Sequence, residues 1–271
     1  TNVSKITWTG AGAVLYPGDW SLPGNWLGGV PSETDEVLIP AGLATNYPYR
    51  NLLSALSPAH VKTLEIEPGA IVNADNYNIT ISGSTNAWVN NGTFTAGTGS
   101  VIFNNGSTSN TTTISGNTNF YNINVGDNTK VQPAVGSVVG IGGTLGAGTG
   151  SILDFSSNVT TINYNGNNSQ TILNPNGATP GFYNLTLSTA GTKTFPASTL
   201  NLLGDLKVNA DVITVGNTTE MSGTTLQTIS GSNAIEFNNL TIDNANGVRL
   251  NMDQLTKILG TLQINVGKRM E

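Results

Sequence analysis

Apolar residues come in closely spaced pairs along most of this chain. Leu64/Ile66, Ile71/Val72, Ile79/Ile81, Trp88/Val89 and Val101/Phe103 recur about every seven or eight residues, with Gly, Asn or Pro between them. Inside the segments "NITIS", "NLTLS", "NLTID" and "LQINV", apolar and polar residues alternate strictly. That period of two belongs to a strand with one buried face. No stretch of 10–15 residues with helical periodicity separates the strands, so alternating strand–helix units are excluded. A chain that makes a short strand, bends and repeats can close a coil in roughly 20–24 residues, and stacked coils form parallel sheets with strands ~4.8 Å apart. The pattern therefore predicts an all-β fold, a right-handed parallel β-helix, the hand following from that of parallel crossovers. Residues 61–267 suffice for about nine or ten such coils.

Three phrases recur in fixed order. Phe120-Tyr121-Asn122-Ile123-Asn124-Val125 matches Phe182-Tyr183-Asn184-Leu185-Thr186-Leu187 and Phe237-Asn238-Asn239-Leu240-Thr241-Ile242. Each is preceded by "TTTISG", "SQTIL" or "LQTISG", and followed by Thr144-Leu145, Asp205-Leu206 or Thr261-Leu262. The period is about 55–62 residues, which predicts three units of two or three coils each, beginning near residue 100. Phe237 lies out of phase with Leu240 and Ile242, so a bend must intervene. Asn239, like Asn122 and Asn184, is the expected corner, because Asn tolerates left-handed backbone.

Residues 1–60 differ in kind. They hold three of the four tryptophans, Trp8, Trp20 and Trp26, together with Pro17, Pro23, Pro31 and Pro40. A solenoid end exposes strand edges and an open core. A segment rich in Trp and Pro can plug that core and block pairing with other chains, so residues 1–60 are expected to be a cap and residues 61–271 the solenoid. The rival reading of the tryptophans is an exposed platform for sugar rings. "NLLSALSPAH" (51–60) has room for one or two helical turns before Pro58. The C-terminal "GKRME" reads as uncapped, so the expectation is either a rod that continues in a larger parent or an end covered by another element.

Composition narrows the classes. Of 271 residues, 37% are hydrophobic, enough for a core, and only 10% are charged. The ten Lys and Arg are scattered and the net charge is −6, which argues against nucleic-acid binding. The absence of cysteine rules out disulfides, thiolate metal sites and cysteine nucleophiles. No apolar run approaches the ~18 residues of a membrane span.

The pattern "TWTG…DW…GNW…GGVP…TDEVLIPAG", then "LEIEPGA", then "NNGTFTAGTGSVIFNNG…TTTISGNTNFYNINV", resembles the β-helical repeat regions of large secreted surface proteins of Bacteroidetes. The resemblance covers nearly the whole chain. It implies secretion to the bacterial cell surface, further domains in a larger parent, and adhesive, matrix or surface-layer roles. A surface polysaccharide or another extracellular polymer is the partner it implies.

The residues nominate no catalytic, cofactor-binding or metal-binding set, and no cofactor is expected. Polysaccharide lyases and glycoside hydrolases built on β-helices need converging carboxylates. Asp127, Asp154, Asp205, Asp211, Glu220, Glu236, Asp243 and Asp253 are instead spread through the turns. For a glycan-binding or glycan-degrading alternative, Tyr121, Tyr164, Tyr183 and Asp154 are the candidates. Glu33, Asp35 and Glu36, with Asp19, form the densest acidic patch and the one candidate calcium locus, although no EF-hand spacing is present. His60 is the single histidine and has no partner for zinc or triad chemistry. "GIGGTLGAGTG" (140–150) lacks the Lys-Ser/Thr of a phosphate loop and reads as tight turns. Thr111–Thr113, Thr160-Thr161 and Thr218-Thr219 raise an ice-binding Thr ladder as a third option. The expectation is a non-enzymatic structural or adhesive module, with a carbohydrate-active β-helix as the alternative.

Overall fold

The computed structural model describes residues 5–12, 18–43, 47–48, 59–177 and 181–271. The possible helical turns at 51–58 lie outside them, as do Pro17 and Pro58. The fold is all-β: parallel coils stack as a β-solenoid. The sole helical segment among the described residues is the 3₁₀ turn Pro23–Asn25. The chain divides into two compact units, residues 1–134 with 146–152, and residues 135–145 with 153–271.

In the first unit, one sheet runs from Ile6–Trp8 through Glu36–Ile39, Thr63–Ile66 and Trp88–Asn90 to Thr111–Phe120, all parallel. Trp26–Leu27 closes its N-terminal edge by pairing antiparallel with Ile6–Trp8. A second sheet stacks Ala59–Val61, Ile79–Ile81, Ser100–Phe103 and Asn122–Val125. A third pairs Ile71–Asn73 with Thr93–Thr95. Partners such as Leu64↔Trp88 and Ile79↔Val101 lie 24 and 22 residues apart, within the expected coil length. The inward rows Val37–Leu64–Trp88 and Ile79–Val101–Ile123 are buried.

The second unit repeats this plan. Val138–Ile141, Thr161–Tyr164, Asn184–Leu187, Leu206–Val208, Gln227–Gly231 and Val248–Met252 form one parallel sheet. Leu200–Leu202, Thr218–Met221, Asn239–Ile242 and Leu262–Ile264 form another. Shorter pairs complete the third side of each coil. Ile162, Leu185, Leu206 and Ile229 make one continuous aliphatic row with no exposed surface. Parallel stacking in register puts like residues on like at every level.

The repeat phrases do not stack on one another. Asn184–Leu187 and Asn239–Ile242 carry the same phrase yet lie in different sheets of the second unit. In the second unit one coil takes 19–23 residues, so a spacing of 55 residues is not a whole number of coils. The phrase is therefore a local rule for making a corner, usable on more than one side. The corner itself falls one residue before the expected asparagine, at Tyr121, Tyr183 and Asn238. Asn122, Asn184 and Asn239 are the first residues of strands, and none has left-handed backbone. Phe120, Phe182 and Phe237 are buried, closing the preceding side.

Candidate functional site

The asparagines work between coils. Asn239 Oδ1 accepts the backbone N–H of Thr261 at 2.9 Å, and Asn184 Oδ1 accepts that of Asp205 at 2.7 Å. Asn78 does the same for Ser100. The inward polar residues are staples too. Gln170 accepts the N–H of Gly166 and donates to the carbonyls of Ile141 and Gly143. Gln227 repeats this with Gly223, Leu202 and Gly204. Both occupy the slot before Thr-Ile in the second phrase, where Thr112 bonds Gly83 O in the first unit. Lys193 takes the same slot in "TKTF": it has no exposed surface and donates to Gly166 O at 2.7 Å. Burial holds its pKa below the usual lysine value.

The carboxylates stitch neighbouring coils. Asp127 accepts Thr149 N–H, Asp205 accepts Thr228 N–H and Asp211 accepts the Asn233 amide. Glu236 pairs with Lys257 and Asp243 with Lys268. Burial, then the nearby Asp243 charge, raises the Glu220 pKa. In the first unit Glu36 pairs with Lys62 and Glu65 with Lys5. Asp35 holds its own turn through Ser32, and Asp19 caps Ser21. No three acidic or histidine side chains gather as a metal cluster among the described residues. His60 is exposed.

The aromatic candidates point mostly inward. Trp8, Trp20 and Trp26 are buried, with edge-on contacts of 4.8 Å and 4.7 Å between ring centres, so they form a packed plug and not an exposed platform. Tyr164 is enclosed, its hydroxyl accepting Leu173 N–H, and burial pushes its pKa well up. Asp154 is also enclosed, whereas Tyr121 and Tyr183 are half-buried at corners of separate units. Tyr164 and Asp154 are therefore enclosed within their unit and not presented on a surface groove. Thr112, Thr160 and Thr219 are buried, and the half-buried Thr111, Thr113, Thr161 and Thr218 lie in register with Lys130, Gln132, Asn184 and Asn239, so these threonines do not stack as a ladder.

One depression has no signature in the sequence. A bay of about 540 Å³ opens on the outer face of the first unit's large sheet, lined by Lys5, Glu36, Thr63, Glu65, Asn86 and Ser115 among others. Register explains the gathering. Glu36 pairs with Thr63 on adjacent strands, and Glu65, Val89 and Ser115 follow one another across three. Asn86 sits on the rim with left-handed backbone (φ 53°), its N–H held by Thr113 Oγ1 at 2.7 Å.

Fold and surface thus define a β-solenoid with coil-to-coil polar stitching. No family model matches the sequence, and no curated protein or solved structure is similar to it. No helix among the described residues is long and apolar enough to cross a membrane.

Proposed function

We propose that this chain is a non-enzymatic structural and adhesive module of a secreted or cell-surface bacterial protein, set among the other domains of a larger parent. One observation carries the reading: the positions the repeats share serve stacking. The phenylalanines fill the coil, Asn184 and Asn239 cap the next coil, and Gln170 and Gln227 staple the corner. Asp127, Asp205, Asp211, Glu236 and Asp243, five of the eight carboxylates that a polysaccharide-cleaving β-helix would have to converge, are engaged one coil away. A repeat selected for stacking is a device for building length and presenting an outer surface.

The test is incubation of the chain with a panel of plant, fungal and bacterial polysaccharides. New reducing ends and unsaturated sugars are followed, and retention on insoluble polymer is measured in parallel. The expected result is retention without cleavage. Sustained multiple-turnover release of oligosaccharides would overturn the reading. The carbohydrate-binding alternative is favoured by a single feature, the bay over Glu65 and Ser115, and is compatible with an adhesive role.

A further inference from the structure

Of the charged groups lining the bay, Lys5 and Glu65 pair with each other and Glu36 pairs with Lys62. In the bay, the hydroxyls of Thr63, Thr85 and Ser115 and the amide of Asn86 make no hydrogen bond to any described residue. Thr63 is the informative one. Its residue is 7% exposed, and the little surface it keeps opens into the bay. A hydroxyl with no partner inside the protein is satisfied by what enters the bay, water or a ligand hydroxyl.

We propose that this bay binds a neutral glycan chain laid across the strands. The volume lies within the ~300–1,000 Å³ of ligand clefts. The row Glu65, Val89, Ser115 steps from coil to coil at the ~4.8 Å strand spacing, close to the rise of one pyranose ring along an extended glycan. Sugar hydroxyls both donate and accept. They meet carboxylates that accept, a Lys5 ammonium that donates, and Thr, Ser and Asn groups that do both. Val89, half-buried in the floor, offers an aliphatic surface to the ring C–H face. Charge selects the neutral class. Glu65 pairs with Lys5 and Glu36 with Lys62, so both signs are already matched, and a charged glycan of either sign must break an existing ion pair. The inference rests on the adhesive reading above and names the site and ligand class for it.

The test titrates the whole chain with neutral oligosaccharides of β-glucan, mannan and xylan, and with oligogalacturonate, following backbone amide shifts by NMR. Variants are Thr63→Val, which keeps the β-branched shape, and Asn86→Gly, which keeps the left-handed backbone. Glu236→Gln in the other unit is the control. Expected are shifts at residues 63–65, 85–89 and 115 with at least one neutral glycan, weakening about three- to tenfold in each bay variant and unchanged in the control. Oligogalacturonate should give no shifts there. Glycan binding that maps elsewhere, or that both bay variants leave intact, overturns the site while leaving the adhesive reading standing. Absence of binding to all four glycans overturns the site, and release of products from any of them overturns the non-enzymatic reading instead.

Discussion

Asn239 Oδ1 accepts the backbone N–H of Thr261 one coil further on, at 2.9 Å, and the residue before Thr261 is Gly260. A Cβ on Gly260 would lie 2.5 Å from that same Oδ1. The first and third repeat phrases are thus two halves of one contact: an asparagine that reaches across, and a glycine that leaves it room. Asn184, Gly204 and Asp205 repeat the arrangement.

This coupling can be measured by a double-mutant cycle. Asn239→Ala should cost about 1–2 kcal/mol, the loss of one hydrogen bond and its unsatisfied donor. Gly260→Ala should cost at least as much by steric conflict, part of it with Asn238 O, which would lie 2.8 Å from the new Cβ. In the double variant the conflict with residue 239 is gone, so the two costs should sum to more than the combined effect. Additive costs would separate the two phrases.

Gln227 should be among the most sensitive polar residues. It is fully buried and bonds Gly223 N–H, Leu202 O and Gly204 O, and accepts from Asn244 as well. Gln227→Leu keeps the bulk and orphans those groups, each costing about 1–3 kcal/mol. Urea unfolding should show a loss of about 3 kcal/mol or more, against a small effect for Gln263→Leu on the exposed last strand.

Lys193 occupies the glutamine slot with a charge. Burial lowers its folded pKa beneath the unfolded value, so the unfolded chain binds the extra proton. Stability should therefore rise as pH climbs from the depressed folded pKa toward the ordinary lysine value. Lys193→Gln should remove that alkaline gain. By restoring the staple seen at Gln170, it should also raise the neutral-pH Tm by about 2–4 °C for each kcal/mol recovered. Thermal scans between pH 6 and 10.5 check both.

The tryptophan plug should be cooperative with the first sheet. Trp26 stacks edge-on against both Trp8 and Trp20, and its indole N–H donates to Trp20 O at 2.7 Å. Trp26→Ala should cost about 3–5 kcal/mol and abolish the near-ultraviolet dichroism of the cluster.

Strand alternation made the coil legible in sequence, because Leu240 and Ile242 or Ile79 and Ile81 announce a single buried face. The repeat was visible as well, but its meaning was not. Asn239 reads as a turn residue, and only its partner one coil away shows it to be a cap. Gln170 and Gln227 look like surface residues, since Gln is seldom buried; their recurrence before Thr-Ile was the available signal. The bay could not be read, because Lys5, Thr63, Asn86 and Ser115 meet only through strand register.

Which strand lies beside which is the relation that defines the solenoid, and the absence of native cysteine allows a direct test. Thr186 pairs with Lys207 on the adjacent coil, whereas Thr241 occupies the same phrase position in another sheet. Adjacent parallel strands at ~4.8 Å fall within the ~4.4–6.8 Å Cα separation of a disulfide. Thr186→Cys/Lys207→Cys should oxidise to an intramolecular crosslink under native conditions, and Thr186→Cys/Thr241→Cys should remain free thiols. Crosslinking of the second pair and not the first would mean that the repeats stack phrase upon phrase, contradicting the coil described here.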